Sequence, residues 1–473
     1  MSKVPSASVL FRLADAALEQ PQSVLLIAPI SSAGTGTPDT PTRVLDSEQG
    51  AAFFGESDGV AAVARFFELA MQADFDLYAF GVDASTWTTN TWEVTITGTS
   101  TKAGTNYWRF GSYQLPVGVP TGTSNTAHAT LLAAALAASD LPLTAVVDGV
   151  NANQVNITST DGGEHIARTP LSVDLYAERG ESGVAGVSFE IVNNADATGS
   201  PTFDSTNIVQ DHTWYLHPFH STSWFDDIEE WLVDRWENSQ FPHAITARND
   251  TSSATVTLFD ARNDFHSSYV AAANAPEWEI ETAINMLNAI QGTINTRGET
   301  VPQTIDLLLT MNRPTIVYDK ATLLDAGAIP LRAAGSSTFA IRVVTNRRKT
   351  DGGQEDLRVF GIDARLRVRV LGRRLGGYLA LQLDKAIVDD VAPLSPGVAL
   401  HAISLDTIRA EISQLVDQAI RDAVIDLPLA DAATVIQTVE LITEGGIKTG
   451  FNVRLNPRIV QNSTTLSALV SLR

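Results

Sequence analysis

"GVAAVARFFELAMQADFDLYAFGV", Gly59 to Val82, is the stretch on which the fold turns. Its first part, Gly59 to Gln72, places Val60, Val63, Phe67 and Ala70 at helical spacing. Its last part, Phe75 to Val82, reads as a strand. Upstream, "SVLLIAPI" (Ser23 to Ile30) is a short apolar run, followed by a loop rich in Gly, Thr, Pro and Ser and then by "TRVLD". Strand, helix and strand at this spacing make a βαβ unit with a parallel sheet behind it.

The texture changes near Asn90. From there to about Pro201 the chain is rich in Thr, Ser, Gly and Asn, and "TWEVTITGTST" and "NQVNITST" alternate at period two, as half-buried strands do. One alanine-rich helix, "AHATLLAAALAAS", interrupts them. This predicts a mainly β domain inserted into the α/β one. Beyond it, "STSWFDDIEEWLVDRW" (Ser221 to Trp236) reads as a helix with Ser223 and Asp226 in a capping-box arrangement and Ile228, Leu232 and Trp236 on one face. "PEWEIETAINMLNAIQG" and "SLDTIRAEISQLVDQAIRDAV" are further amphipathic helices, the second followed by Pro428 as a stop. "TVELITEGG" and "GFNVRLNP" read as paired strands around a Gly-Gly turn. In "NSTTLSALVSLR", Leu466, Ala468, Val470 and Leu472 alternate with Ser467, Leu469 and Ser471. The edge of such a strand joins its own sheet or pairs with another chain.

Composition narrows the function. With 44% hydrophobic and 18% charged residues, the chain can build real cores and is not disordered. No run of 18 apolar residues predicts a membrane span. The first twenty residues, broken by Asp15 and Glu19, do not read as a secretory signal. The absence of cysteine excludes disulfides, zinc-thiolate sites and a cysteine nucleophile. A formal charge of -22 argues against duplex nucleic acid, which calls for broad positive potential. Lysine occurs only at Lys3, Lys102, Lys320, Lys349, Lys385 and Lys448, the other cations being arginine. Arginine suits packed interfaces with carboxylates, because its fork bonds two oxygens at once. Drift in a GC-rich genome produces the same bias.

"GESDG" (Gly55 to Gly59) matches the G-x-S-x-G nucleophile elbow, in which Ser57 would sit on a strand-to-helix turn. A helix follows, but the preceding "DSEQGAAFF" reads poorly as a strand, and the preferred reading is a glycine-bounded loop capped by Ser57 or Asp58 before the helix. "HTWYLHPFH" gathers His212, His217 and His220. Pro218 breaks the helix that would align them on zinc, so the reading is a strand end packed with aromatics. "SAGTGTP" lacks the G-K-[ST] of a phosphate loop.

Positive charge gathers in "LRVFGIDARLRVRVLGRRLGG" (Leu357 to Gly377). Ala364, Val368, Leu371, Leu375 and Leu379 are spaced for one helical face, with Arg365, Arg369 and Arg373 as a stripe beside it. "RLRVRV" also alternates like a strand, but only for six residues. Like charges four apart repel mildly, so acids should face the stripe, from this chain or from another.

The order of these pieces resembles the contractile-tail sheath proteins of bacteriophages, most closely the Mu-like group. "FFGESDGVAAVARFFELAMQADFDLYAFGV" (Phe53 to Val82) is similar to that group's loop, helix and strand. The Thr- and Gly-rich insertion resembles theirs in place and texture. "YDKATLLDAGAIPLR" (Tyr318 to Arg332) is similar to the family's helix ending in a glycine-isoleucine turn around Ala328. "VVTNRRKTDGGQEDLRVFGIDARLRVRV" matches its pattern of Thr345, the Gly352-Gly353 turn, Asp356 and Asp363. "SLDTIRAEISQLV" and "FNVRLNPRIVQNSTTLSALVSL" resemble its late helix and its C-terminal strand and arm. Ser404-Leu405 stands where Thr-Pro is usual, and "NRRK" and "RRLGG" depart from the pattern.

The resemblance implies an α/β and α+β multidomain chain: a mixed-sheet α/β core, an inserted mainly-β domain and a C-terminal α+β domain. The expected division is an N-terminal arm at 1–20, a discontinuous core at 21–89 with 202–350, an outer insertion at 90–201, an inner domain at 351–460 and a C-terminal arm at 461–473. It implies a structural subunit, not an enzyme, that polymerises helically around a tail tube and contracts to drive the tube through a cell envelope. The expected place is a virion tail or tail-like particle, after assembly in host cytoplasm. Expected partners are other sheath subunits, the tube protein, and the baseplate and terminator proteins, with no nucleic acid, membrane insertion, cofactor or metal. Strand exchange between subunits is expected at Val9, Leu10 and Phe11 and at Leu466, Ala468, Val470 and Leu472. Arg365, Arg369 and Arg373 are expected to face the tube or a neighbour's carboxylates. The alternatives are a serine hydrolase using Ser57 and an extracellular β-rich surface protein.

Overall fold

β1 (Gln22–Ile30) is apolar on both faces. Val24, Leu26 and Ala28 enter one hydrophobic cluster, Leu25 and Ile27 enter another, and all five are fully buried. That is the pattern of a central strand in a sheet covered on both sides. The computed structural model describes residues 22–295, without 74, 176–179, 238–241, 263–265 and 273–276. Beyond them it describes 304–305, 322–323, 326–333, 339–341, 345–349, 355–361, 413–414, 417, 436–444 and 447–455.

After β1 come β2 (Thr42–Val44), α1 (Ser47–Phe54), α2 (Asp58–Glu68), a 3₁₀ turn (Met71–Ala73) and β3 (Phe75–Asp83). β3 lies parallel to β1 from Gln22↔Phe75 to Ile30↔Asp83, which is the expected βαβ unit. α2 stops earlier than its spacing predicted, and Ala70 sits in the turn beyond it with φ 55°. Its best-buried residues are Ala62, Val63 and Phe66, while Val60 and Phe67 are only partly covered. Helix α1 leans on α2 through Gly50 and Val63 and through Phe54 and Gly59. Neighbours on two sides widen and rotate the buried stripe.

The chain then leaves the sheet. β4 (Thr89–Gly98), β5 (Gly104–Phe110), β6 (Tyr113–Val119), α3 (Asn125–Ala137), β7 (Leu143–Val147), β8 (Gln154–Gly162), α4 (Glu164–Ala167), β9 (Leu171–Val173) and β10 (Val187–Ala195) form an insert. Its strands make two antiparallel sheets, ordered β10-β4-β8-β7 and β6-β5-β9. Along β4 the residues alternate between buried and half-buried, so the period-two reading of "TWEVTITG" holds. α3 is capped by Ser124, which accepts from Ala127 N.

The sheet resumes with β11 (Trp214–Leu216), α5 (Thr222–Glu237), β12 (His243–Arg248), α6 (Ser252–Asp260), β13 (Ser267–Ala271) and α7 (Glu279–Asn295). It continues with β14 (Thr304–Ile305), β15 (Ala328–Ala333) and β16 (Phe339–Ile341). The nine strands are ordered β14-β16-β15-β13-β12-β11-β1-β3-β2. The run from β3 to β15 is parallel, and β2, β16 and β14 pair antiparallel at the edges. α2 and α7 cover one face and α5 the other, through Trp224, Ile228 and Leu232. The cap of α5 is Ser221, whose Oγ accepts from Trp224 N, and not Ser223 as the capping-box pattern suggested. The helix starts at Thr222, so Ser223 already lies inside the first turn. At Gly327, φ is 78°, and Ala328 is already in β15, so the turn expected around it closes one residue sooner.

Two hairpins follow. β17 (Thr345–Lys349) pairs with β18 (Glu355–Gly361), and β19 (Ile436–Glu444) pairs with β20 (Ile447–Leu455). Both are antiparallel, and the second is the strand pair expected from "TVELITEGG" and "GFNVRLNP". The chain is thus a mixed α/β protein of several sheets.

Candidate functional site

The G-x-S-x-G serine is a helix cap. α1 ends at Gly55, where φ is 79° and a Cβ would stand 2.2 Å from Ser31 Oγ. Two residues later Ser57 caps α2, its Oγ accepting from Gly59 N at 3.3 Å, and the residue is fully buried. A nucleophile elbow joins a strand to a helix. Here a helix precedes the turn, so Ser57 lacks the exposed position the hydrolase alternative required.

The three histidines near β11 do not converge on one point. His212 packs edge-on to Tyr78, and burial pushes its imidazole down to about 4. His217 Nδ1 accepts from Trp224 Nε1 at 3.1 Å. His220 Nδ1 stands 2.7 Å from Arg168 Nη2 and its Nε2 stands 3.0 Å from Thr246 Oγ1. Arginine has no acceptor, so Nδ1 is the accepting nitrogen and Nε2–H donates to the threonine. Among the described residues no His, Asp and Glu set is arranged to hold a metal. The aromatic strand end expected from "HTWYLHPFH" is what forms.

The parallel strands β3-β1-β11-β12-β13 run in the 2-1-3-4-5 order of doubly wound sheets. Such sheets bind ligands beyond the carboxyl ends of the strands where the order reverses. In this chain the insert packs on the loop that follows β11. Arg168, just after α4, donates from Nε to Glu279 Oε1 at 2.7 Å and from Nη2 to Oε2 at 2.8 Å. The same Nη2 reaches Pro218 O at 3.2 Å as well as His220. Glu279 Oε1 also accepts from Asn249 N, and Glu164 Oε1 accepts from His220 N. One guanidinium therefore ties the insert to the loop after β11 and to the start of α7, while Glu279 adds the end of β12. Burial opposes charge on Arg168, but Glu279 beside it holds the guanidinium protonated. Burial raises the Glu279 carboxyl above its ordinary value, and the two-pronged contact, the backbone donor and the first turn of α7 oppose that shift.

Beside this lock lies a second buried group. His165 Nε2 of α4 stands 3.5 Å from Asp58 Oδ2 at the start of α2. Burial, then Asp161, raises the Asp58 carboxyl well above its ordinary value. Burial, then Glu56, raises Asp161 at the end of β8 to about 6. Burial raises Glu281 to about 7, although it accepts from Trp278 N at 3.1 Å. Burial, with Arg168, lowers His165 to about 3. Both shifts favour the uncharged forms of Asp58 and His165.

Apolar contacts close the seam. Trp278, just before α7, packs edge-on to Phe110 of β5 at 4.8 Å, and Phe110 meets Trp92 of β4 at 5.2 Å. Gly111 turns β5 into β6 with φ 58°, and a Cβ there would lie 2.1 Å from the Trp278 indole. One continuous core runs from β1 through α7 into the insert. The arrangement ties the insert to the parallel sheet.

The residues expected to exchange strands, Val9, Leu10, Phe11, Leu466, Ala468, Val470 and Leu472, lie outside the described residues. So do Arg365, Arg369 and Arg373 and the helix expected around them. Of that basic stretch only Leu357 to Gly361 is described, in β18. Sequence reasoning missed the seam, although "GGEHIARTP" and "EWEIE" both place charge inside apolar surroundings.

No protein-family model matches the chain, and no curated protein matches its sequence. Solved structures are similar to it over most of their length. A sheath tail protein from Desulfitobacterium hafniense has 12% identity, with 89% of this chain and 90% of that one covered and a TM-score of 0.40. A chain of the anti-feeding prophage baseplate has 7% identity, coverage of 100% and 96%, and a TM-score of 0.45. A chain of the anti-feeding prophage helical sheath in its contracted state has 10% identity, coverage of 100% and 99%, and a TM-score of 0.46.

Proposed function

We propose that this chain is the structural subunit of a contractile tail sheath of the Mu-like group. It polymerises helically around a tail tube and shortens to drive the tube through a cell envelope. One observation carries the reading. Among the described residues, β19 and β20, nine residues each, pair with each other along almost their whole length as a two-stranded sheet. A lone hairpin is marginal in water and gains stability from further strands. The arms at 1–20 and 461–473 supply such strands in trans, through Val9, Leu10 and Phe11 on one side and Leu466, Ala468, Val470 and Leu472 on the other. Backbone pairing then links subunits while their bodies move.

The sequence order set out above supports the same reading, as does an insert packed on the loop that follows β11. Contacts that do not close into a ring extend as filaments, and a packed lattice with two arrangements stores the work of contraction. In this reading the insert faces outward, the segment 351–460 faces the tube, and the tube, baseplate and terminator proteins are partners in a virion tail or tail-like particle.

Negative-stain microscopy of the purified chain tests the assembly: hollow cylinders are expected. Removing residues 1–20 and 461–473 is expected to leave folded single subunits. Cylinders built by the trimmed chain, or small uniform particles from the whole one, would overturn the proposal.

A further inference from the structure

The acids at the seam come from both modules. Asp58 opens α2, Asp161 ends β8 of the insert and Glu281 lies in the first turn of α7, and all three are almost fully buried. Asp58 is faced by His165 and Asp161 from the insert, by Glu279 and Glu281 from α7 and by Gly59 N on its own helix. Asp161 is faced by Glu56. Glu281 is faced by Ser112 of the insert, by Trp278 N, and by Arg65 and Glu68 of α2. Arg65 is already engaged by Asn285 at 3.0 Å and Glu68 at 2.8 Å, and Arg168 by Glu279. Tyr113 of β6 also faces Asp58, Asp161 and Glu281, and Asp140 lies near it. His165 is faced by Asp58 and Arg168 and lies edge-on to Trp87 and Phe219. The cations of this neighbourhood are thus shared: Arg65 faces Glu281 but also holds Asn285 and Glu68, and Asp58 lies between the charges of Asp161 and Glu281.

We propose that the contact between insert and sheet is a proton-operated latch, closed while Asp58, Asp161 and Glu281 hold protons and loosened as they lose them. The proposal does not depend on the sheath reading. Ionising the acids in place puts like charges into a dry seam, and separating the modules lets water reach them.

The sign follows from the directions of the shifts. Acids raised in the closed state stabilise it below their free values, and that stabilisation is lost as pH rises through the raised ones. With closed values of about 6 and 7, Asp161 and Glu281 together favour opening by on the order of several hundredfold between pH 5 and pH 8. His165, lowered to about 3, acts oppositely: its protonation favours opening at acid pH, by on the order of thirtyfold across the same interval. His220, lowered by burial and held by Arg168 and Glu164 of the insert, acts in the same sense as His165, while Asp58, raised by burial, acts with the other acids.

The chain has no cysteine, so a single introduced thiol reports on the seam. Ile166→Cys places it in α4, and Ala244→Cys places a control within β12 of the parallel sheet. The full-length chain is labelled with 4,4′-dithiodipyridine at pH 5 and pH 8, each rate divided by that of the urea-unfolded chain at the same pH. The corrected rate for the α4 thiol is expected to rise tenfold or more, and the rate for the β12 control to stay flat. Asp161→Asn with Glu281→Gln should reduce the rise, with circular dichroism establishing that the variant is folded. If that pair misfolds, Asp161→Asn alone should reduce the rise. A flat response from the α4 thiol, an equal rise from the β12 control, or an undiminished rise in a folded variant would overturn the latch.

Discussion

Replacing Arg168 by leucine should destabilise the chain more than any single surface change, and should do so more at alkaline than at acid pH. The side chain is almost wholly buried and makes two charged bonds to Glu279, one to Pro218 O and one to His220. Leucine makes none of these and leaves Glu279 buried with only Asn249 N as donor. Breaking one half of a buried ion pair costs about 3–5 kcal/mol, because the other charge stays behind. Replacing both halves by apolar residues costs far less. The Arg168→Leu, Glu279→Leu double variant should therefore be more stable than Arg168→Leu alone, with a coupling of about 2–4 kcal/mol in the double-mutant cycle. Without the guanidinium, burial is opposed only by Asn249 N and the charge of Arg248 and raises the Glu279 carboxyl further. A raised carboxyl stabilises below its free value and loses that contribution as pH rises, so the single variant should fall further behind the parent at pH 8 than at pH 5. The assay is urea unfolding followed by tryptophan fluorescence at both pH values, for parent, singles and double. A cost for Arg168→Leu below about 1 kcal/mol, or a double variant weaker than the sum of the singles, would refute the reasoning.

Three further outcomes follow from the same geometry. Gly111→Ala pushes a methyl into the Trp278 indole and should lower the melting temperature markedly, whereas Gly122→Ala, at φ 82° but with open space around it, should cost only about 1 kcal/mol by thermal melt. Ser57→Ala should cost about 1 kcal/mol as a lost cap and leave cylinder formation unchanged by microscopy, and loss of an esterase turnover on this substitution would reinstate the hydrolase. Reversing Arg365, Arg369 and Arg373 to glutamate should abolish assembly on the tube without altering circular dichroism, and normal assembly would remove the stripe from the interface.

Local pattern was enough to read β1, the α2–β3 pair, the alternating strands of the insert, the alanine-rich α3 and the β19–β20 hairpin. α2 and the insert strands repeat at 3.6 or 2 residues, while β1 shows as an unbroken apolar run and α3 as an alanine-rich one. The same logic misplaced what depends on neighbours. "SEQGAAFF" carries too weak a pattern to announce α1, yet it packs as a helix against α2. Ser223 has the spacing of a cap, but the cap of α5 lies two residues earlier, at Ser221. The histidines of "HTWYLHPFH" are neighbours in sequence, and the strand sends each to a different partner. The lock pairs Arg168 with Glu279, 111 residues apart, and the seam pairs Asp58 with His165. No local repeat encodes such a meeting. By itself the sequence determined the kinds of element and their order, because backbone preference and apolar spacing act over a few residues. Only the tertiary structure decided which charges are buried together, because burial is a property of two surfaces and neither one carries the other's address.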